Sequence, residues 1–158
     1  MTLRVLCLPV LVAVAACGSG QDPVVEGAGE ATSSTAAPGG DGELSLAIEV
    51  PDDLVAGQPV TWRLTVTNGT DVPVTLAFTS GQQGEVVLVG ANGTEAYRWS
   101  EGMMFAQSLT ETELAAGADM ALELPGTLDV DPGTYVLEAS APSEPAPEPV
   151  IKDVTVTG

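Results

Sequence analysis

Eleven consecutive residues, Tyr97-Arg98-Trp99-Ser100-Glu101-Gly102-Met103-Met104-Phe105-Ala106-Gln107, concentrate the side chains best suited to recognition. They hold one of two tryptophans, one of two phenylalanines, one of two tyrosines and one of four Lys and Arg residues. Within them Glu101, Gly102, Met103, Met104, Phe105 and Ala106 form a candidate partner-binding loop, because each of Met103, Met104 and Phe105 can fill an apolar pocket on another protein. The competing expectation is inward packing of Phe105 and one Met against Trp99, since Met fills gaps beside aromatic rings. Bond-making chemistry is poorly served. The chain has no His, which removes the Ser-His-Asp triad and the common zinc sites. Met103-Met104 lacks the His or further Met that a copper(I) site recruits. Asp129 and Asp131 have calcium's oxygen chemistry without the Gly-plus-Glu loop pattern. No Ser-Lys motif is present. The expectation is a binding protein and not an enzyme, with no cofactor and no metal.

Location is written at the start of the chain. Arg4 precedes an apolar run from Val5 to Ala16. Its length of about twelve residues falls short of the roughly twenty that a spanning helix needs, so residues 1–16 read as a secretory leader. Val14-Ala15-Ala16-Cys17 resembles the lipobox of bacterial prolipoproteins. That resemblance implies a diacylglyceryl group on Cys17, which becomes the new N-terminus, and a protein held on the extracytoplasmic side of a membrane. Two acyl chains suffice for stable anchoring, at about 0.8 kcal/mol per buried methylene. The other cysteine, Cys7, leaves with the leader, so the exported domain has neither a disulfide nor a thiol nucleophile. Removing Arg4 leaves three cations, Arg63, Arg98 and Lys152, against 22 carboxylates, a net charge of −19. Such a surface cannot displace phosphate counterions, which excludes nucleic acid. It also gives no electrostatic grip on anionic lipid.

Residues 17–42 are rich in Gly, Ala, Ser, Thr and Pro and show no period, which predicts a disordered linker. Its reach is roughly 25–30 Å. One domain follows, over 43–158. Leu44, Leu46, Ile48 and Val50 alternate with polar or small residues, as do Val60, Trp62, Leu64 and Val66. The same period recurs at Val74, Leu76 and Phe78, at Met120, Leu122 and Leu124, and at Tyr135, Leu137 and Ala139. Period 2 with branched residues means half-buried strands. Glu85–Gly90 is apolar on both faces and reads as a more central strand, and Val150–Thr157 as the last one. Asn68-Gly69 and Asn92-Gly93 are hairpin signals. Pro142–Pro149 reads as a loop. Regular spacing predicts an all-β, immunoglobulin-like antiparallel β-sandwich of seven to nine strands. Tyr135 follows Pro132-Gly133 in the manner of a tyrosine corner. Trp62, Phe78 and Tyr135 are the expected core anchors.

Tyr97–Gln107 resembles the signature of the BsuPI-type intracellular proteinase inhibitor domain, a Val-Trp-Arg-Trp-Ser-like strand leading into a Met-Phe-x-Gln segment. Further motifs agree in order. Leu64–Asn68 and Val72–Leu76 resemble its early hairpin, Ser80-Gly81-Gln82 its next turn, Leu114–Gly117 its Leu-x-Pro-Gly turn, and Pro132–Tyr135 its late Pro-Gly-x-Tyr. The sequence departs at Gln83-Gly84-Glu85-Val86, where the family often has an aromatic and then Asp-Phe. The resemblance implies the β-sandwich and a proteinase inhibitor, with an extracytoplasmic peptidase or another envelope protein as partner. The alternative is a structural or assembly module of the cell envelope with no protease partner.

Overall fold

Strands with one apolar face can bury it by stacking two sheets, and the computed structural model, which describes residues 43–158, does this. The expected leader (1–16) and the Cys17 lipid site with its linker (17–42) lie outside the described residues. Eleven strands follow one another: β1 Leu44–Glu49, β2 Leu54–Val55, β3 Pro59–Asn68, β4 Val74–Phe78, β5 Glu85–Gly90, β6 Glu95–Arg98, β7 Thr110–Leu114, β8 Asp119–Thr127, β9 Gly133–Ser140, β10 Ser143–Glu144 and β11 Val150–Thr157. The count exceeds the expected seven to nine because β2 and β10 are two-residue pairings. The Pro142–Pro149 segment contains one of them. The fold is the expected all-β, immunoglobulin-like sandwich.

Three sheets form, ordered β1-β3-β8, β10-β4-β7 and β2-β11-β9-β5-β6. All pairings are antiparallel except that of β2 with β11, where Leu54 faces Val156. Residues Val60, Trp62 and Leu64 of β3 and Leu122 and Leu124 of β8 share one core with Val86 and Leu88 of β5 and Leu137 of β9. The β1-β3-β8 and five-stranded sheets are therefore the two layers. A second cluster joins Val66, Leu76, Phe78, Leu114 and Ala141, closing the small sheet onto the far part of β3. Trp62 has no exposed surface. Fully burying a side chain of this class stabilises the fold by roughly 1.5–3 kcal/mol. Pro125 lies inside β8, which tolerates it because β8 is an edge strand.

Two expectations need correction. Tyr135 is only half-buried. Its hydroxyl donates to Asp131 O at 2.7 Å, so the tyrosine corner is present, but Tyr97 is the tyrosine in the core. Asn68-Gly69 does not close a hairpin, because β3 pairs with β1 and β8 while β4 pairs with β7 and β10. The segment crosses between sheets instead, and Gly69 is not among the positive-φ glycines of the described residues. Asn92-Gly93 does turn the β5–β6 hairpin, with Gly93 at φ 76°. β5 is the more central strand expected, interior between β9 and β6. Its burial from Glu85 through Leu88 explains the continuous apolar run.

Candidate functional site

The segment from Trp99 to Leu109 leaves β6, projects from the sandwich and returns into β7. Its first foot is fixed by backbone and side chain together. Trp99 N donates to Val86 O at 2.9 Å, and the indole N–H of Trp99 donates to Pro125 O at 3.1 Å. Two successive turns follow, with Glu101 N donating to Arg98 O and Met103 N to Ser100 O, both at 3.1 Å. Gly102 sits at φ 74°, a region that an L side chain enters only with strain, which is why glycine stands there. The second foot is held where Gly81 N donates to Ala106 O at 2.8 Å.

Between these feet the expected residues divide. Met104 is 98 % exposed and Met103 41 % exposed. Glu101, Gly102 and Ala106 are exposed as well. Phe105 alone turns back, half-buried, with its ring centroid 5.8 Å from that of Trp99. Of the two expectations for this stretch, outward presentation describes both methionines and inward packing describes Phe105.

An aromatic column continues below the loop. Trp62 and Tyr97 have ring centroids 6.3 Å apart, and the Trp62 indole N–H donates to the Tyr97 hydroxyl at 3.4 Å. Burial pushes the Tyr97 phenol above its ordinary value. Gly126 makes the column possible. A Cβ there would stand 2.9 Å from the Tyr97 hydroxyl and 3.6 Å from Trp99 Cδ1.

Charge is concentrated at the first foot. Glu85 is buried at the start of β5. Its Oε1 accepts from Val86 N at 3.1 Å and Ser100 N at 3.2 Å. Its Oε2 accepts from Gln82 Nε2 at 3.0 Å, from Arg98 Nη1 at 3.4 Å and from the Ser100 hydroxyl. Arg98 also reaches Glu95, with Nε donating to Oε1 at 3.0 Å and Nη2 to Oε2. That hydrogen bond holds the Glu95 carboxyl below its usual range and the guanidinium above its own. Arg63 is likewise paired, with Glu123 and Glu49.

Residue types and spacing point to the loop residues but not to Glu85, Ser100 and Gln82 as its support. One signal was available: a carboxylate opening an otherwise apolar run must be partnered once the strand is buried. Among the described residues no group of three or more metal-type side chains converges. The arrangement can present an apolar tip on a constrained loop.

No curated protein matches the chain. Among solved structures, a β-glucosidase from Listeria innocua is 17% identical with a TM-score of 0.44, covering 74% of this chain, which spans only 16% of that one. A CARDB domain from Pyrococcus furiosus is 17% identical with a TM-score of 0.43, over 73% of this chain and 89% of that one. The alkylpurine DNA glycosylase AlkC of Pseudomonas fluorescens is 14% identical with a TM-score of 0.45, over 77% and 32%. The family model described as intracellular proteinase inhibitor, BsuPI, matches residues 44–146, from the first strand through the segment after β10. The chain belongs to the BsuPI family of intracellular proteinase inhibitors.

Proposed function

We propose that this chain is a non-enzymatic, lipid-anchored inhibitor of an extracytoplasmic peptidase, and that the loop Glu101–Ala106 is the part that enters the peptidase cleft. The observation that carries the reading is the tip: Met104 almost fully exposed on a loop tied at both feet, in a domain of a proteinase inhibitor family. A tied loop loses little conformational entropy on binding, which is how rigid inhibitors gain affinity. An exposed thioether contributes little to the fold and gains most when a pocket removes it from water. The anchor reading rests on the leader and Val14-Ala15-Ala16-Cys17. Cys17 carries the lipid, residues 17–42 lift the domain from the membrane, and 43–158 bind the partner. The family description is intracellular, so this chain carries the domain to a different compartment.

The test has two arms. Full-length protein and its Cys17→Ser variant are fractionated. We expect the wild type in the membrane fraction and the variant in the soluble fraction or unprocessed. Envelope peptidase activity is then assayed with wild-type and Met104→Asp protein. We expect inhibition by the wild type and a loss of at least ~2 kcal/mol in the variant, the scale of a hot-spot residue. Identical fractionation of the Cys17 pair removes the anchor. Failure of the wild type to inhibit any envelope peptidase removes the inhibitor and leaves the structural or assembly module.

A further inference from the structure

The loop is anchored by a residue outside it, and that residue does a different kind of work from the apolar tip. Glu85 sits 9 % exposed at the start of β5, and its carboxylate gathers donors from three places: Gln82 before the strand, Arg98 at the end of β6, and both the N–H and hydroxyl of Ser100 at the loop's first foot. A carboxylate accepts and does not donate, so it can satisfy several converging N–H and O–H groups that would repel one another's hydrogens around a neutral donor. Charge-assisted bonds of this kind are about twice as strong as neutral ones. Ser100 also accepts at its carbonyl from Met103 N, so the residue that Glu85 holds closes the turn below the exposed tip. No buried side-chain nitrogen or oxygen among the described residues lacks a partner.

We infer that Glu85 is the positioning residue of the loop: it fixes Ser100 so that the Met103-Met104 tip is presented in one conformation, and a peptidase that engages the tip is blocked instead of being fed a cleavable strand. The inference rests on the inhibitory reading above. It adds the group that separates an inhibitor from a substrate. A loose loop with the same Met-Met-Phe tip adapts to a peptidase cleft, and its peptide bonds are cut. A loop whose foot is held by two hydrogen bonds to a carboxylate that three further donors hold in place resists the distortion that cutting requires. Arg98 acts through Glu85 and Glu95 and completes the support from the solvent side.

Chymotrypsin, whose primary pocket is apolar, is the probe. Full-length wild type, Glu85→Gln and Ser100→Ala are incubated with it. Cleavage within residues 101–106 is followed by mass spectrometry, residual peptidase activity is measured, and the thermal midpoint of each protein is recorded. We expect the wild-type loop to stay intact while peptidase activity falls. We expect the loop of both variants to be cut roughly tenfold faster or more, the equilibrium effect of losing a charged hydrogen bond. Ser100→Ala removes one hydroxyl at the foot of the loop, so its midpoint should fall by only about 3–8 °C and the protein should stay folded, which covers the case in which Glu85→Gln fails to fold. Equal cutting of all three proteins overturns the inference. So does a fall in midpoint for both variants with cleavage spread through the sandwich, because Glu85 would then be a general structural residue. An intact wild-type loop without inhibition, beside faster cutting of the variants, upholds Glu85 as the positioning residue and removes chymotrypsin-like peptidases as the target, leaving the inhibitory reading to the envelope peptidase assay.

Discussion

Asn68 and Glu85 are both buried, and the side chain of each takes part in five hydrogen bonds, yet they serve the molecule differently. Asn68 ends β3. Its Nδ2 shares two hydrogens among the carbonyls of Val72, Leu114 and Ala115, at 2.9, 2.9 and 3.0 Å, while its Oδ1 accepts from Thr70 N and the Thr70 hydroxyl. Nearly all these partners are backbone, and they belong to the segments that enter β4 and leave β7. A neutral amide, donor and acceptor at once, stitches the small sheet to β3. Glu85 collects side chains and loop N–H groups, and above it stands the exposed methionine tip. The difference teaches where a buried polar group closes the fold and where it aims a surface. Mixed donor and acceptor capacity suits chain segments that each lack one bond, and an acceptor-only carboxylate suits a foot where several donors converge.

The largest expected effect tests the closing role. Asn68→Ala leaves the buried Leu114 carbonyl and Thr70 N short of a partner, while the Val72 and Ala115 carbonyls keep the Thr70 hydroxyl and Ala118 N. At roughly 1–3 kcal/mol for each orphaned group, a loss of about 2 kcal/mol or more is expected in denaturant unfolding. A loss under about 1 kcal/mol would mean that water replaces the amide, and the contrast with Glu85 would then rest on nothing. Phe105→Ala comes next. Phe105 is half-buried against Trp99, and such an aromatic pair is worth about 0.5–1.5 kcal/mol beyond its area. A stability loss near that range is expected, smaller than for Asn68, with a clear red shift in Trp99 emission because the ring that shields the indole is gone. A loss as large as that of Asn68→Ala would place the loop in the core and erase the comparison.

The smallest effect concerns pH. The hydrogen bond from Arg98 lowers the Glu95 carboxyl below its usual value in the folded state. A lowered folded value means that the contribution is complete above the ordinary glutamate range and is lost as pH falls through the folded value. An NMR titration should find Glu95 below a typical glutamate, and Arg98→Met should return it upward. An unshifted Glu95 would mean that Arg98 is not held at the loop's foot. The pair is exposed, so the effect on global stability is small.

The sequence by itself determined the β-class, the positions of most strands, the burial of Trp62, the tyrosine corner at Tyr135 and the location of the apolar loop. These are local properties. Period 2 follows from the pleat, and turn chemistry follows from which residues tolerate unusual backbone angles. β7 escaped the pattern because Thr110-Glu111-Thr112-Glu113-Leu114 is an edge strand that buries only its last side chain. The tertiary structure alone decided which strands pair, and so turned the expected Asn68-Gly69 hairpin into a sheet crossing. It also chose Tyr97 over Tyr135 for the core, turned Phe105 inward while leaving Met104 in solvent, and set Glu85 beneath Ser100. Those outcomes join residues far apart in the chain: Asn68 to Leu114 over 46 positions, Trp62 to Tyr97 over 35. Separations of that size leave no periodic trace. Only packing two sheets against one another selects among partners that look equally suitable along the chain.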